Sequence, residues 1–289
     1  MPEGDTVFRT CARLDEALAG RALVAAELRW PGLSTADLTG TTVTAVVPRG
    51  KHILIRLASG WTLHSHLKME GQWRIERSRP ARGADAWARS VDIRAILVTP
   101  EWTAIGLRLG RLDLVRTSEE DTLVGHLGPD ILAADFDPVT AVANLAASGT
   151  SIGAALLDQR NLAGVGTMWA AESLFLERVN PWAEQLEEVV IARVVERARR
   201  LMTAAVGSAR QSSTGSTRPG ESTWVHARSG RPCRRCGATI RVAPIGPPAR
   251  ERVLFSCPAC QGGRAPGDDG HPIAPLGARG GRRGRREPR

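Results

Sequence analysis

Val7, Cys11, Leu14 and Leu18 recur at helical spacing and Gly20 follows them, so the chain opens on a helix over residues 5–19 with one apolar face. Cys11 lies on that face and is expected in the core, without chemistry of its own. From Leu23 to about Val115 the pattern changes to short β-rich segments: ALVAAELRW, TTVTAVVP, HILIRL, TLHSHL, GQWRI, VDIRAILV, TAIGL and LDLV. Ser59-Gly60 supplies a tight hairpin between two of them. Regular short strands separated by turn signals predict a sandwich or a barrel.

Gly128-Pro129 and Asp137-Pro138 mark the crossing to a second half, where the pattern becomes helical: Val139–Ala147, Ile152–Asp158, Met168–Leu176 and roughly Glu184–Ala209. Gln211–Glu221 is rich in Ser, Thr and Gly and reads as a mobile loop. The remaining four cysteines fall within residues 225–261, and the tail from Gly262 is rich in Gly, Pro and Arg, which reads as disordered. The chain therefore divides into 1–120, 121–224, 225–261 and 262–289: a β domain, a helical domain, a cysteine module and a basic tail.

Charge sharpens this picture. Lys and Arg number 39 against 30 Asp and Glu, for a net charge of +9. Such an excess suits a polyanionic partner, because neutralised phosphates release their counterions. The start MPEGDTVFRT holds no secretory segment and no apolar run is long enough to span a bilayer, so a soluble, cytoplasmic, nucleoid-associated protein is expected.

Cys233-Arg-Arg-Cys236 and Cys257-Pro-Ala-Cys260 are two CxxC knuckles with 20 residues between them. Four thiolates at such spacing close a tetrahedral site for one structural Zn2+ and leave no position for a reacting water. TIRVA and RVLFS between the knuckles predict a hairpin. In the helical half, Gly164 and Gly166 strip side chains from the approach to a helix, whose N–H groups could then meet an anion; a tight turn between packed helices is the other reading. Once Met1 is removed, Pro2 presents a secondary amine, with the carboxyl of Glu3 next to it. A terminal amine has a reference pKa of about 7.7–8.0 against about 10.4 for lysine, so near neutrality it is the readier nucleophile.

MPEGDTV, RGKHILIRL, LLDQRNLAGVGTMWAAESLF and the paired knuckles occur in that order. Together they resemble the formamidopyrimidine-DNA glycosylase/endonuclease VIII family over residues 1 to about 261, and the GDT start with its short basic zinc module looks closer to the endonuclease VIII branch in its actinobacterial form. The resemblance implies an α+β multidomain fold: an N-terminal catalytic β-sandwich, a helix–two-turn–helix domain and a C-terminal zinc finger. It implies excision of an oxidised base from damaged DNA, the base being flipped into a pocket. Pro2 attacks C1′, Glu3 is the general acid that assists sugar ring opening, and a Schiff base leads through β- and δ-elimination to a nicked strand. By position, Lys51 would contact phosphate or donate a proton, and Arg252, five residues before Cys257, would grip phosphate. Met69 matches an apolar wedge position, with plain core packing as the alternative, and Leu109 is a second candidate void-filler. Thr167 stands where the family usually has a phosphate-binding asparagine; Asn161, in the same turn, is the candidate to compensate. A monomer acting on oxidised pyrimidines is the expectation. An abasic-site lyase with little base excision, or a non-catalytic zinc-stabilised DNA binder, stays open beside it.

Overall fold

The computed structural model describes residues 2–78, 90–208, 210–248 and 250–271. Helix α1 (Gly4–Leu18) buries Val7, Cys11, Leu14 and Leu18, the face read from the sequence. Eight strands follow: β1 (Ala25–Leu28), β2 (Val43–Arg49), β3 (His52–Leu57), β4 (Trp61–His66), β5 (Gln72–Arg77), β6 (Ile93–Val98), β7 (Trp102–Leu107) and β8 (Arg111–Arg116). They form two antiparallel sheets, in the orders β1-β6-β7-β5 and β2-β3-β4-β8. Leu28, Ile53, Ile55, Leu63, Trp73, Leu97 and Leu112, drawn from both sheets, share one core with α1. The β half is thus a sandwich, closed on itself by side chains and not by a strand ladder.

Strand β3 explains how this half meets the next. Its run Ile53-Leu54-Ile55 is buried throughout because both faces are covered. Ile53 and Ile55 point into the sandwich, while Leu54 packs with Leu123, Val124, Leu127 and Ala163 on the outer face. Leu123 and Val124 belong to α2 (Asp121–Val124), a single turn too short to leave a periodic signature.

The helical half contains α3 (Pro138–Ala146), α4 (Ile152–Leu157), α5 (Thr167–Leu176) and α6 (Glu188–Val206). Asp137 caps α3 by accepting from Val139 N and Thr140 N at 2.9 and 3.1 Å. Residues 167–175 of α5 are all buried, so α5 is the central helix of its domain. Strands β9 (Arg241–Ile245) and β10 (Arg252–Ser256) make the hairpin of the cysteine module. Ile245, Leu254 and Phe255 enter the same core as Trp169 and Phe175, which docks the module on α5.

The expected disorder of the tail is corrected for its first residues. Residues 262–271 are folded onto the hairpin: Arg241 forms an ion pair with Asp268 in which both side chains are nearly buried, and Ala265 is buried. Residues 272–289 of the tail lie outside the described residues. The segment 211–221 is a loop, as expected, with Ser212 Oγ donating to Ser216 O and Thr214 Oγ1 to Glu221 O at 2.7 Å each.

Candidate active site

The N-terminal helix and the central helix meet end to end. Gly4 N donates to Gly164 O at 2.9 Å, and a Cβ on Gly4 would stand 2.9 Å from Gly164 Cα, so only glycine permits this approach. The contact delivers Glu3 to the start of α5. Its carboxylate accepts from Gly166 N and Met168 N at 2.8 Å each and from Trp169 N at 3.4 Å. These are the donors that a first helical turn leaves unpaired, and the helix dipole favours an anion there. The glycine-bearing turn therefore seats an anion, but that anion is Glu3, where the sequence suggested phosphate. Gly166 lacks a side chain for the same reason, since a Cβ there would lie 2.4 Å from Glu3 Cδ. Gly164 takes φ +102° in the turn itself.

Burial pushes the Glu3 carboxyl above its usual range; Lys51 and the two amides of Met168 and Trp169 oppose the shift, and Asp5 adds to it. A carboxyl held this way keeps access to its protonated form, as a general acid must. Pro2, half-buried, adjoins it in the chain.

Lys51 arrives from the tip of the β2–β3 hairpin. Gly50 turns there with φ +59°, and its N–H donates to Asp130 Oδ2 at 2.6 Å, docking the hairpin on the helical half. Lys51 Nζ donates to Val165 O at 2.6 Å, one residue before Gly166. Burial, opposed by Glu3 and reinforced by Arg252, brings the Lys51 ammonium down to about 8. Arg252 opens β10 and is exposed, and its side chain has no hydrogen bond or ion pair among the described residues. Glu3, Lys51 and Arg252 thus converge from three modules.

The other sequence-selected residues divide. Met69 is 58% exposed in the turn after β4, as a wedge requires. Leu109 is corrected: it is 3% exposed and packs in the sandwich core against Gly106, so it cannot enter DNA without leaving that core. The neighbouring Arg108 is the exposed side chain of that turn, paired with Glu70 and Asp92 at 3.5 and 3.0 Å. Asn161 faces inward, with Nδ2 donating to Ala155 O at 3.1 Å, and so braces the turn. Thr167 is the first residue of α5 and is buried.

Sequence reasoning missed four residues. Gln159 staples the turn, accepting from Gly164 N at 3.0 Å and donating to Val165 O at 2.9 Å. Asp130 holds the lysine hairpin. Asp5, fully buried, accepts from Trp169 Nε1 at 2.9 Å. Glu172 accepts from Trp224, Val225 and His226 N at 2.7, 2.9 and 2.7 Å. A signal existed for the last two: a buried indole needs an acceptor, and a lone acid inside the apolar run of α5 needs donors.

The sulfur atoms of Cys233, Cys236, Cys257 and Cys260 all lie within 4.8 Å of one another. The Cys236–Cys257 and Cys233–Cys260 separations are 3.5 and 4.0 Å. Tetrahedral Zn–S bonds of about 2.3 Å place sulfurs about 3.8 Å apart, so the four cysteines fit a metal ion of that kind.

The family model of the formamidopyrimidine-DNA glycosylase N-terminal domain matches residues 1–95, and that of its H2TH domain matches residues 127–217. A protein named "Probable endonuclease 8 2" from Streptomyces coelicolor is 45% identical over 92% of this chain and 96% of its own. The chain belongs to the formamidopyrimidine-DNA glycosylase/endonuclease VIII family. Within that family, the DNA-(apurinic or apyrimidinic site) lyase Nei2 of Mycolicibacterium smegmatis is 42% identical over 90% of this chain and 99% of its own. The formamidopyrimidine-DNA glycosylase of Chloroflexus aurantiacus is 31% identical over 90% and 96%. The likeness is thus greater to these endonuclease 8 and Nei2 proteins, as the GDT start suggested. Among solved structures, a complex of Lactococcus lactis Fpg with DNA containing an abasic site superposes with a TM-score of 0.74 at 25% identity, covering 90% of this chain and 99% of that one.

Proposed function

We propose that this protein is a base-excision-repair DNA glycosylase and abasic-site lyase whose nucleophile is the amine of Pro2. The observation that carries the reading is the buried Glu3 carboxyl, fixed by three amides beside the terminal amine. With Met1 removed, the Pro2 lone pair attacks C1′ of the damaged nucleotide and the C1′–base bond breaks. Glu3 supplies a proton to the ring oxygen as the sugar opens, leaving a Schiff base between Pro2 and C1′. Loss of the C2′ proton drives β-elimination of the 3′ phosphate, δ-elimination of the 5′ phosphate follows, and hydrolysis frees Pro2. Lys51 and Arg252 hold phosphates at the lesion, and Met69 fills the space left by the flipped nucleotide. The four cysteines would hold zinc as a structural tie, with no open position for chemistry. Oxidised pyrimidines are the proposed lesions, and one chain acting alone the proposed form.

Glu3→Gln tests the reading. The amide cannot serve as a general acid, so release of an oxidised pyrimidine from duplex DNA is expected to fall on the order of 10²-fold. Cleavage of a preformed abasic site, which needs no base to leave, should fall far less. Equal base release by variant and native protein would contradict the role of Glu3.

Lys51 gives the DNA affinity a pH signature. Its folded pKa is lowered to about 8, so the free protein loses this charge as pH rises through 8. A bound phosphate favours the charged form, so binding above pH 8 takes up a proton, and affinity falls by up to about tenfold per pH unit. Lys51→Arg, always charged, should flatten the profile between pH 7 and 9. Both proteins carry the same terminal amine and differ only at position 51, so the comparison of the two profiles reports on Lys51. Parallel profiles for the two proteins would show that Lys51 does not meet phosphate.

A further inference from the structure

Strand register gathers histidines on the outer face of the second sheet. Ile53 and Ile55 of β3, Leu63 of β4 and Leu112 of β8 turn inward. His52, His64, His66, Arg111 and Asp113 alternate with them and turn outward. His52 pairs with His66 and His66 with Arg111 in one row, and His64 pairs with Asp113 in the next. His126, two residues past α2, closes the group from the joint between the halves. The ring centroids of His66 and His126 lie 5.0 and 6.4 Å from that of His52. His52 directly follows Lys51, so the group continues the lysine hairpin across the sheet.

The hydrogen bonds assign the ring protons. The Asp113 carboxylate only accepts, so His64 Nδ1 donates to Asp113 Oδ2 at 2.8 Å. His64 is fully buried, and burial holds its imidazole below the ordinary histidine range although Asp113 opposes the shift. The neutral ring keeps a lone pair on Nε2, and His52 Nδ1 donates to it at 2.8 Å. His52 Nε2 is therefore left with a lone pair. It has no hydrogen-bond partner among the described residues, and the half-buried ring leaves it open to solvent. His66 takes the other form: its Nδ1 accepts from Lys68 N at 2.9 Å, which puts its proton on Nε2. Burial, with His64, His66, His126 and Arg111, brings His52 down to about 3. Burial, with Lys51, His64, Lys68 and Arg111, brings His66 down to about 4. Two carboxylates face the group: Asp113, paired also with Arg111 Nε at 2.8 Å, behind His64, and Asp158 of the helical half beside His126. An arriving anion thus meets neutral rings set among Lys51, Lys68 and Arg111.

We propose that His52 is a further phosphate-binding residue of the DNA face, one that becomes a cation only when a phosphate reaches Nε2, and that His64 and Asp113 are the positioning residues behind it. A proton from solvent adds to Nε2, and the new N–H donates to a phosphate oxygen. His52 Nδ1–H keeps its bond to His64, and His64 Nδ1–H its bond to Asp113, so the carboxylate stabilises the imidazolium through the ring between them. An unprotonated Nε2 turns a lone pair to the phosphate and cannot donate, so the contact forms only with the uptake of one proton. Lys51 supplies a charge that is present over most of the neutral range, and His52 adds a conditional one beside it. The proposal rests on damaged DNA as the partner and does not depend on the chemistry of Pro2. His52 is neutral in the free protein and raised again in the complex. Between those two values binding takes up a proton and affinity falls as pH rises; above the complexed value the ring is neutral in both states and adds no charge.

The test compares the full-length native protein with His52→Gln, His52→Lys and Asp113→Asn. The probe is duplex DNA holding a tetrahydrofuran abasic analogue, whose sugar lacks the C1′ oxygen and cannot form a Schiff base. Affinity is measured against salt at pH 5.5 and pH 8.5. Each neutralised phosphate contributes about 0.9 to the slope of log affinity against log salt. At pH 5.5 the native slope should be about 0.9 steeper than that of His52→Gln, with binding about tenfold tighter; at pH 8.5 the two proteins should agree within about twofold. His52→Lys, charged throughout, should keep the steeper slope at both pH values. Its gain over native protein at pH 8.5 cannot come from misfolding, so the test holds even where His52→Gln folds poorly. Asp113→Asn removes the charge behind His64 and should bring the slope at pH 5.5 toward that of His52→Gln. Equal slopes for native protein and His52→Gln at pH 5.5, a difference of the same size at pH 8.5, no gain in His52→Lys, or a native slope in Asp113→Asn would overturn the proposal. Native protein that fails to bind the duplex at either pH would instead overturn DNA as the partner. Failure of Pro2 to trap on abasic DNA, with these slopes intact, would sink the lyase reading and leave His52 in place.

Discussion

Gly166→Ala is expected to abolish most base release, on the order of 10³-fold, although it adds one methyl group to a turn. The new Cβ would sit 2.4 Å from Glu3 Cδ and 2.6 Å from Glu3 Oε1, so the Glu3 side chain is what gives way. The carboxylate must withdraw, and the amides of Gly166, Met168 and Trp169 lose their acceptor in a buried site. Each hydrogen bond to a charged group is worth about 1.5–3 kcal/mol, so a clear fall in Tm should accompany the loss. Pro2 adjoins Glu3, and a displacement of about 1 Å at a reacting group costs on the order of 10² in rate, so abasic-site cleavage falls too. Gly207→Ala is the control: its Cβ would meet nothing closer than Ala204 O at 3.8 Å, and native rates are expected. Single-turnover base release with a melting curve for each variant decides the matter, and a Gly166→Ala protein with native rates would refute the seating of Glu3 described here.

Removal of the zinc proposed for the four cysteines is expected to have the second large effect. The four sulfurs are the only group of metal-ligand geometry among the described residues, and they clamp the ends of β9 and β10. Arg252, at the start of β10, owes its place beside Lys51 to that clamp. Without the metal, the hairpin is held by packing of Ile245, Leu254 and Phe255 on the helical core, by Trp182 Nε1 donating to Pro244 O at 3.1 Å and by the Arg241–Asp268 ion pair. Chelated protein, or Cys236→Ser, is expected to lose about 10³-fold in affinity for abasic DNA, with a lower Tm as apolar surface is exposed. The sandwich, whose core is separate, should keep its structure. Metal content by atomic absorption, expected at one zinc per chain, should track DNA affinity; a metal-free protein that binds normally would contradict the structural role.

Helices α1 and α6 were legible because each turns one face to a core, and a single face writes a period into the sequence. The buried run of β3 was legible as a strand, but not as the joint between halves, since nothing local says what covers Leu54. The cysteine cluster was legible because four cysteines at fixed spacing have few uses other than holding a metal. The role of the glycine turn was only half legible. That an anion meets the start of α5 follows from the glycines and the helix, but that it is Glu3 depends on a contact spanning 163 residues, from Glu3 to Gly166. Leu109 shows the converse: motif position placed it at the DNA, whereas packing against Gly106 places it in the core. The segment 211–222 was legible as a loop from its Ser, Thr and Gly content, but its ties to Asp5, Glu172 and Arg234 were not. Anchors far away in sequence leave no local trace.

The measurement that bears most directly on the central claim is borohydride trapping on DNA with an abasic site, using native protein whose Met1 has been removed and the same chain carrying one extra N-terminal residue. The account predicts a covalent protein–DNA complex with the native protein, its adduct mapped to Pro2, and none with the extended chain, although both bind the DNA. A native protein that binds DNA and carries zinc but gives no trapped complex, or one trapped through another residue, would contradict it.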